Sequence, residues 1–280
     1  MSNNTGVLTQ VKLKLANDDI RKRFADVLGQ KANQYMASIV NVVSGNQMLQ
    51  KSTPNSILAA AFVAATYDLP IDSNLGFAAI VPYYDNRNKV YNAQFQMMYK
   101  GFVQLAIRSS AYENMNVAEV YEDEVVSYNP ITGELELVKD FSECMQRNNG
   151  EKDKIVGYYA WFRLLSGFKK ELYMTRKECD NHALQYSASY KSDSKKGGFS
   201  SKWTTDFDAM AKKTVLKLLL SRWGVLNVEM QKAITDDQKV YTQIDDADYA
   251  DNNSDAVTDP FVGIEDKGAE GVTADETEGK

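Results

Sequence analysis

Three stretches of the chain alternate β-prone side chains around tight turn signals, and a helical stretch separates the first from the other two. "LGFAAIVPYYDNRNKVYNAQFQMMY" turns at "DNRN", "VAEVYEDEVVSYNPITGELELVKD" at "NPITG", and "IVGYYAWFRLLSGFKKELYMT" at Ser166-Gly167. Asp, Asn, Pro and Gly suit the backbone of such turns, and a short loop can join only antiparallel neighbours. A parallel sheet would need βαβ alternation, which is absent. The pattern predicts an α+β fold, an antiparallel sheet with hairpins packed on helices.

The helical stretches are equally marked. "DIRKRFADVLGQKANQYMASIVNVVSG" places Ile20, Phe24, Val27 or Leu28, Tyr35, Ile39 and Val42 or Val43 at roughly helical spacing. "STPNSILAAAFVAATYDLP" opens on Ser/Thr followed by Pro and closes at Pro70. It is apolar on nearly every side, so it belongs in the interior. A helix is expected from about Met98 to Ser110, a short one in "RKECDNHALQYSASY", and a mobile Ser/Lys/Gly loop in "KSDSKKGGFSSKW". The strongest helix is "TTDFDAMAKKTVLKLLLSRWG", with Thr205 as cap and Gly224 as stop. The resulting division is a helical segment over 1–50 suited to oligomerisation, a core over 51–234 and a disordered tail over 235–280.

Charge follows this division. Residues 235–280 hold 14 Asp/Glu against 3 Lys, whereas residues 1–234 hold 29 basic against 24 acidic residues. The net −6 therefore hides a mildly basic body with an acidic tail. The two cysteines, Cys144 and Cys179, fit no disulfide or metal framework. No apolar run is long enough to cross a bilayer, and "MSNNTGVLTQVKLKLAND" has no signal-peptide pattern, so a cytoplasmic setting is expected.

Catalytic constellations are scarce. His182 is the single histidine, which disfavours His-based triads and metal sites. "GGFSSK" and "SGFKKE" fail the phosphate-loop spacing. Glu122, Asp123 and Glu124, or Glu134 and Glu136, could bind Mg²⁺ in a nuclease, but a solvated strand edge is the simpler reading. Asp193-x-Lys195 resembles a nuclease motif but falls in the expected loop. Neither a metal nor another cofactor is called for.

Cations and aromatics remain. Between Lys154 and Arg222 there are 14 basic and 6 acidic residues, whereas residues 112–153 carry 11 acidic and 3 basic. In the last helix Lys213, Lys217 and Ser221 share a stripe, flanked by Lys212 and Arg222. Phe207, Met210, Thr214, Leu218 and Leu219 would pack on the sheet and leave that stripe as a row of phosphate ligands. Lys100 and Arg108 repeat the arrangement at i and i+8, with Gly101 beside the lysine; that glycine could admit DNA or a neighbouring helix. Arg163, Lys169, Lys170, Arg176 and Lys177 are further candidates. Tyr99, Tyr159 and Trp161 are candidate stacking surfaces, although aromatics on a sheet usually pack. The residues alone point to a non-catalytic nucleic-acid binder; a metal-dependent nuclease and a DNA-independent assembly protein are the rivals.

Four segments then carry a resemblance. "PNSILAAAFVAATYDLPIDSNLGFAAIVPYYDN", "FQMMYKGFVQLAIRSSAYENMNVAEVYEDE", "GYYAWFRLLSG" and "WTTDFDAMAKKTVLKLLLSRWG" occur in order over about residues 54–224. They resemble the RecT/Red-beta class of phage single-strand annealing recombinases, the RecT branch closely. The resemblance implies a protein that binds single-stranded DNA and its annealed duplex without ATP, as a ring or helical filament. It also implies a fold like that of the ring-forming annealing proteins, a partner phage exonuclease and a host single-strand-binding protein. It assigns the cations above to a groove along the DNA backbone and makes the tail a partner contact.

Overall fold

The computed structural model describes residues 6–244 except 86, 226 and 238. The disorder expected beyond residue 244 lies outside the described residues. Four helices come first: α1 (Val7–Leu15), α2 (Asp18–Leu28), α3 (Ala32–Gly45) and α4 (Pro54–Thr66). Asn17 caps α2 by accepting the Asp19 and Ile20 N–H groups, and Pro54 starts α4, where a missing N–H costs nothing. Every residue from Ser56 to Ala65 is buried, as the all-round apolar pattern requires. Val11, Phe24, Ile39 and Val43 share the core of α4, so the N-terminal helices belong to the same packed unit.

Strands β1 (Ala78–Asp85) and β2 (Val90–Met97) pair antiparallel from Ala78–Met97 to Asp85–Val90. Helix α5 (Tyr99–Arg108) follows, then β3 (Tyr112–Tyr121). The next hairpin, β4 (Val125–Asn129) and β5 (Glu134–Leu137), turns at Gly133 with φ +74°. After α6 (Met145–Asn149) come β6 (Ile155–Leu164) and β7 (Lys169–Thr175), joined by a turn with Gly167 at φ +87°. Helices α7 (Arg176–Tyr186), α8 (Ala188–Lys196), α9 (Lys202–Thr205), α10 (Phe207–Trp223) and α11 (Val228–Asp236) complete the fold.

The fold is α+β, with three small antiparallel sheets rather than one: β1-β2, β3-β6-β7 and β4-β5. Along β6, Tyr158, Ala160 and Phe162 are buried while Tyr159, Trp161 and Arg163 face outward, the period-2 pattern of a half-covered sheet. Helix α10 packs under that sheet and touches α5, α7, α9 and α11 elsewhere.

Two expectations are corrected. The Ser/Lys/Gly stretch is largely helical: α8 ends on left-handed Gly197, and buried Asp193 then organises the turn. The Asp193 carboxylate accepts from the Ser200 hydroxyl at 2.6 Å, the Ser201 N–H at 2.7 Å and the Thr204 hydroxyl at 2.9 Å. Thr205 ends α9 instead of capping α10, whose N-cap position is Asp206.

The core also runs past residue 234. Asp236, Asp237 and Tyr241 are buried, and Ile244 packs against the same cluster. Asp236 accepts from the Tyr67 and Tyr241 hydroxyls, each at 2.6 Å. Asp237 accepts from Lys213 at 3.0 Å, Lys217 at 2.8 Å and the Met97 N–H at 2.9 Å. Burial pushes the Asp237 carboxyl up, but the two ammonium groups outweigh it and hold its pKa below the usual value. A depressed carboxylate stabilises the fold above the unfolded pKa near ~4, and that contribution is lost as pH falls through the folded value.

Gly101 is explained by protein. A Cβ there would collide with the Phe77 carbonyl oxygen and the Met97 sulfur. The Phe77 carbonyl cannot move freely because it accepts the Met98 N–H at 2.9 Å. Gly101→Ala should therefore lower stability by about 1–3 kcal/mol in urea unfolding, and an unchanged midpoint would refute the clash. Asp237→Ala, or truncation after Thr235, should cost about 3–5 kcal/mol by leaving two lysines without their counterion, whereas truncation after Ile244 should leave the melting temperature in place.

Candidate nucleic-acid interface

The row of ligands expected along α10 is not a surface row. The Lys213 side chain is only 8% exposed and Lys217 21%, and both point at Asp237. The physical reason is that the middle of α10 is packed on more faces than the one anticipated. Val215, Leu216 and Leu220 fall outside the anticipated packing face and are buried as well. Leu216 and Leu220 lie within a turn of Lys213 and Lys217, so this stripe faces protein. Lys213 leaves the set of DNA ligands, and Lys217 serves the same ion pair.

Lys100 and Arg108 also part company. Arg108 donates to the Tyr67 carbonyl at 2.5 Å and the Asp68 carbonyl at 3.0 Å, with the Asp68 carboxylate 3.9 Å away. It closes the C-terminal end of α4, where unpaired carbonyls favour a cation. Lys100 is exposed, and its stem runs so close over Gly76 that a Cβ there would meet the Lys100 Cδ at 3.3 Å.

From Lys100 a cationic strip follows the free edge of β3 and the N-terminal half of α10. Tyr99 precedes it, and its ring centre lies 5.9 Å from the Lys212 ammonium. Lys212 pairs with Glu119 of β3 at 2.7 Å, and Arg147 donates to the Glu119 carbonyl at 3.0 Å. One turn earlier on α10, Asp208 accepts the Tyr158 hydroxyl at 2.6 Å and lies 3.3 Å from Arg176 and 4.0 Å from Lys152. The Arg176 guanidinium sits 4.5 Å over the Phe207 ring, and Lys177 is exposed beside it. The Tyr158 phenol is pushed well up by burial and by Asp208, so it stays a donor to that carboxylate.

The other candidates lie in two different places. At the far end of α10, Lys170 lies 5.0 Å and Arg222 5.8 Å from the Trp223 ring centre. On the outer face of β6 and β7, Arg163 pairs with Glu113 at 2.8 Å and Lys169 with Glu171 at 2.9 Å. Glu171 also accepts the Tyr159 hydroxyl at 2.8 Å, so Tyr159 is tied down. Trp161 stands half-buried between Asn116 and Glu171 in neighbouring strands. Lys152 and Arg147 are members of the strip that local sequence reading passed over. They reach it from the segment between β5 and β6, and no short-range pattern announces that.

The acids suggested for a nuclease have structural partners. Glu124 is 1% exposed, forms an ion pair with Arg147 and accepts the Tyr121 N–H at 3.1 Å. Asp123 accepts the Gln146 N–H at 3.4 Å. Among the described residues no group of three His, Cys, Asp or Glu could hold a metal ion. His182 lies 4.6 Å from the Tyr186 ring, and burial followed by the Lys217 charge lowers its pKa to about 4, so it is neutral near pH 7. Burial pushes the Cys179 thiol up to about 12. What the strip offers is positive charge and N–H donors on rigid elements, suited to backbone phosphates.

The model of the RecT family matches residues 33–254. An uncharacterized protein of Bacillus subtilis (strain 168), YqaK, is 43% identical over 239 residues, which cover 85% of this chain and 76% of that protein. Protein RecT of Escherichia coli (strain K12) is 28% identical over 195 residues, 69% of this chain and 66% of that protein. Membership of this family suggests single-stranded DNA annealing in recombination, and annealing proteins of this kind are not enzymes. The chain belongs to the RecT family.

Proposed function

We propose that this chain is an ATP-independent single-strand annealing recombinase that holds single-stranded DNA and the newly paired duplex along the strip from Lys100 to Lys152. The observation that supports the reading is the grouping of these cations: Lys212 reaches Tyr99 and Glu119, Arg176 and Lys152 share Asp208 one turn earlier on α10, and Lys100 adjoins Tyr99 in the chain. Annealing breaks no covalent bond. It requires two repelling backbones to approach while their bases stay free, and base pairing then supplies both the driving force and the sequence recognition. Lysines and arginines meet the first need by neutralising phosphates and releasing counterions. Tyr99 offers an aromatic face beside the cations for an unpaired base, and Trp161 offers another on the outer sheet face.

Glu119 and Asp208 hold these cations in place before DNA arrives, and phosphates then compete for the same N–H groups. That competition keeps each subunit's affinity modest, so a ring or helical filament repeating the strip along the strand is the working form. A phage exonuclease that exposes the strands and a host single-strand-binding protein are the proposed partners, with the acidic segment beyond Ile244 as their contact. The setting is the cytoplasm of a bacterial host, and the gene is of phage or prophage origin.

Lys100→Gln combined with Lys212→Gln should slow pairing of complementary oligonucleotides while the circular dichroism spectrum of the folded chain is retained. It should also reduce the slope of log affinity against log salt by about 0.7 for each phosphate that is no longer neutralised. Pairing at the wild-type rate would remove the strip from the DNA path.

A further inference from the structure

The tip of the first hairpin gathers three cations, Lys51, Arg87 and Lys89, that form no ion pair among the described residues. Strands β1 and β2 turn between Asp85 and Val90, and Arg87 and Lys89 are exposed in that turn. Lys51 is exposed beside them. The Leu49–Lys51 turn packs against β1, Ser52 bridges Tyr91, and the Thr53 N–H donates to the Tyr91 carbonyl at 2.9 Å. Asp85 is the one acid of the turn, and its carboxylate is already engaged. Its Oδ1 accepts the Arg87 and Asn88 N–H groups at 2.8 and 3.3 Å, and its Oδ2 accepts the Asn88 side-chain amide at 2.6 Å. Tyr84 and Tyr91 face each other across the strands with ring centres 4.8 Å apart, and their hydroxyls add two donors.

The described chain ends close by. Gln243 and Ile244 share a groove with Asn55 and Leu58 at the start of α4, and Asn55 comes just after the stretch that pairs with Tyr91. Asp19 and Arg23 line the same groove and offset each other, while Asp18 adds a further negative charge at the start of α2. Residues 245–259 carry six Asp and no basic side chain, and their extended reach is up to about 50 Å. An acidic stretch that begins there meets like charge toward α2 and uncompensated positive charge toward Lys51.

We propose that the acidic segment following Ile244 docks on the Lys51, Arg87 and Lys89 patch of its own chain, with its carboxylates against these three cations. Each exposed pair is weak alone, but the tether holds the segment at a local concentration of about a millimolar, and several pairs form together. The Lys100–Lys152 strip is the poorer host, because Lys212 and Arg176 already have Glu119 and Asp208. So placed, the segment closes the hairpin tip to other polyanions, and a partner that draws it away uncovers the tip. The pairs are open to solvent, so high salt releases them.

Two measurements test the contact, and neither involves DNA, so the result stands apart from the annealing reading. In the full chain at low salt, carbodiimide should join Asp side chains of residues 245–259 to Lys51 or Lys89, and high salt should abolish these cross-links. A mixture of isotope-labelled and unlabelled protein should show both ends of each cross-link on one chain. Acylation of Lys51 and Lys89 by a lysine reagent should become about threefold or more faster when the chain is cut after Ile244. The same gain is expected when the six Asp are replaced by Asn in the full-length chain, which keeps the comparison valid if the cut chain folds poorly. Unchanged acylation at both lysines in the Asn variant would overturn the contact. Cross-links found only at Lys100 or Lys152, or only between different chains, would overturn it as well.

Discussion

A single buried carboxylate, Asp237, ties together the parts of this protein that are distant in sequence. It accepts from two lysines of α10 and from the backbone N–H of Met97 at the end of β2. Isolated, a charge at that depth would cost several kcal/mol; with two ammonium partners and a backbone donor it becomes a fixed joint. Asp236 beside it anchors Tyr67 at the end of α4 through a second short hydrogen bond. Removal of the joint would release α10 from α5 and the first hairpin. The cationic strip spans those same elements, with Lys100 on α5 and Lys212 on α10, so its geometry depends on the joint.

The same helix thus carries lysines in opposite settings. Lys213 and Lys217 point inward at Asp237, while Lys212, their neighbour, reaches Glu119 at the edge of the sheet. The difference is about 100° of rotation around a helix axis. The proposed annealing surface needs its cations held but exchangeable. Partly exposed pairs such as Lys212–Glu119 and Arg176–Asp208 satisfy that, because each is weak enough for a phosphate to displace the carboxylate. The Lys213–Asp237 pair is sealed from water and cannot exchange in this way.

Much of the fold was legible because it is encoded locally. The three hairpins, the Pro54 start of α4, its all-round burial and the outward set Tyr159, Trp161 and Arg163 all follow from turn chemistry and periodicity. Arg108 was misplaced because an i, i+8 match to Lys100 cannot show that the carbonyls of Tyr67 and Asp68 lie next to it. Gly101 was ambiguous for the same reason, since the Phe77 carbonyl that excludes a side chain comes from across the hairpin.

The sequence by itself determined the antiparallel α+β class, the absence of a phosphate loop or histidine triad, the basic body, and, through four ordered segments, the family. Only the tertiary structure decided which cations are exposed and which are buried in ion pairs. Exposure of a lysine depends on what packs over it, and here the cover for Lys213 comes from residue 237, in a stretch whose composition suggested tail. Charge counts add along a chain, but burial and pairing are properties of surfaces brought together from distant segments. The set of exposed cations was therefore fixed by packing.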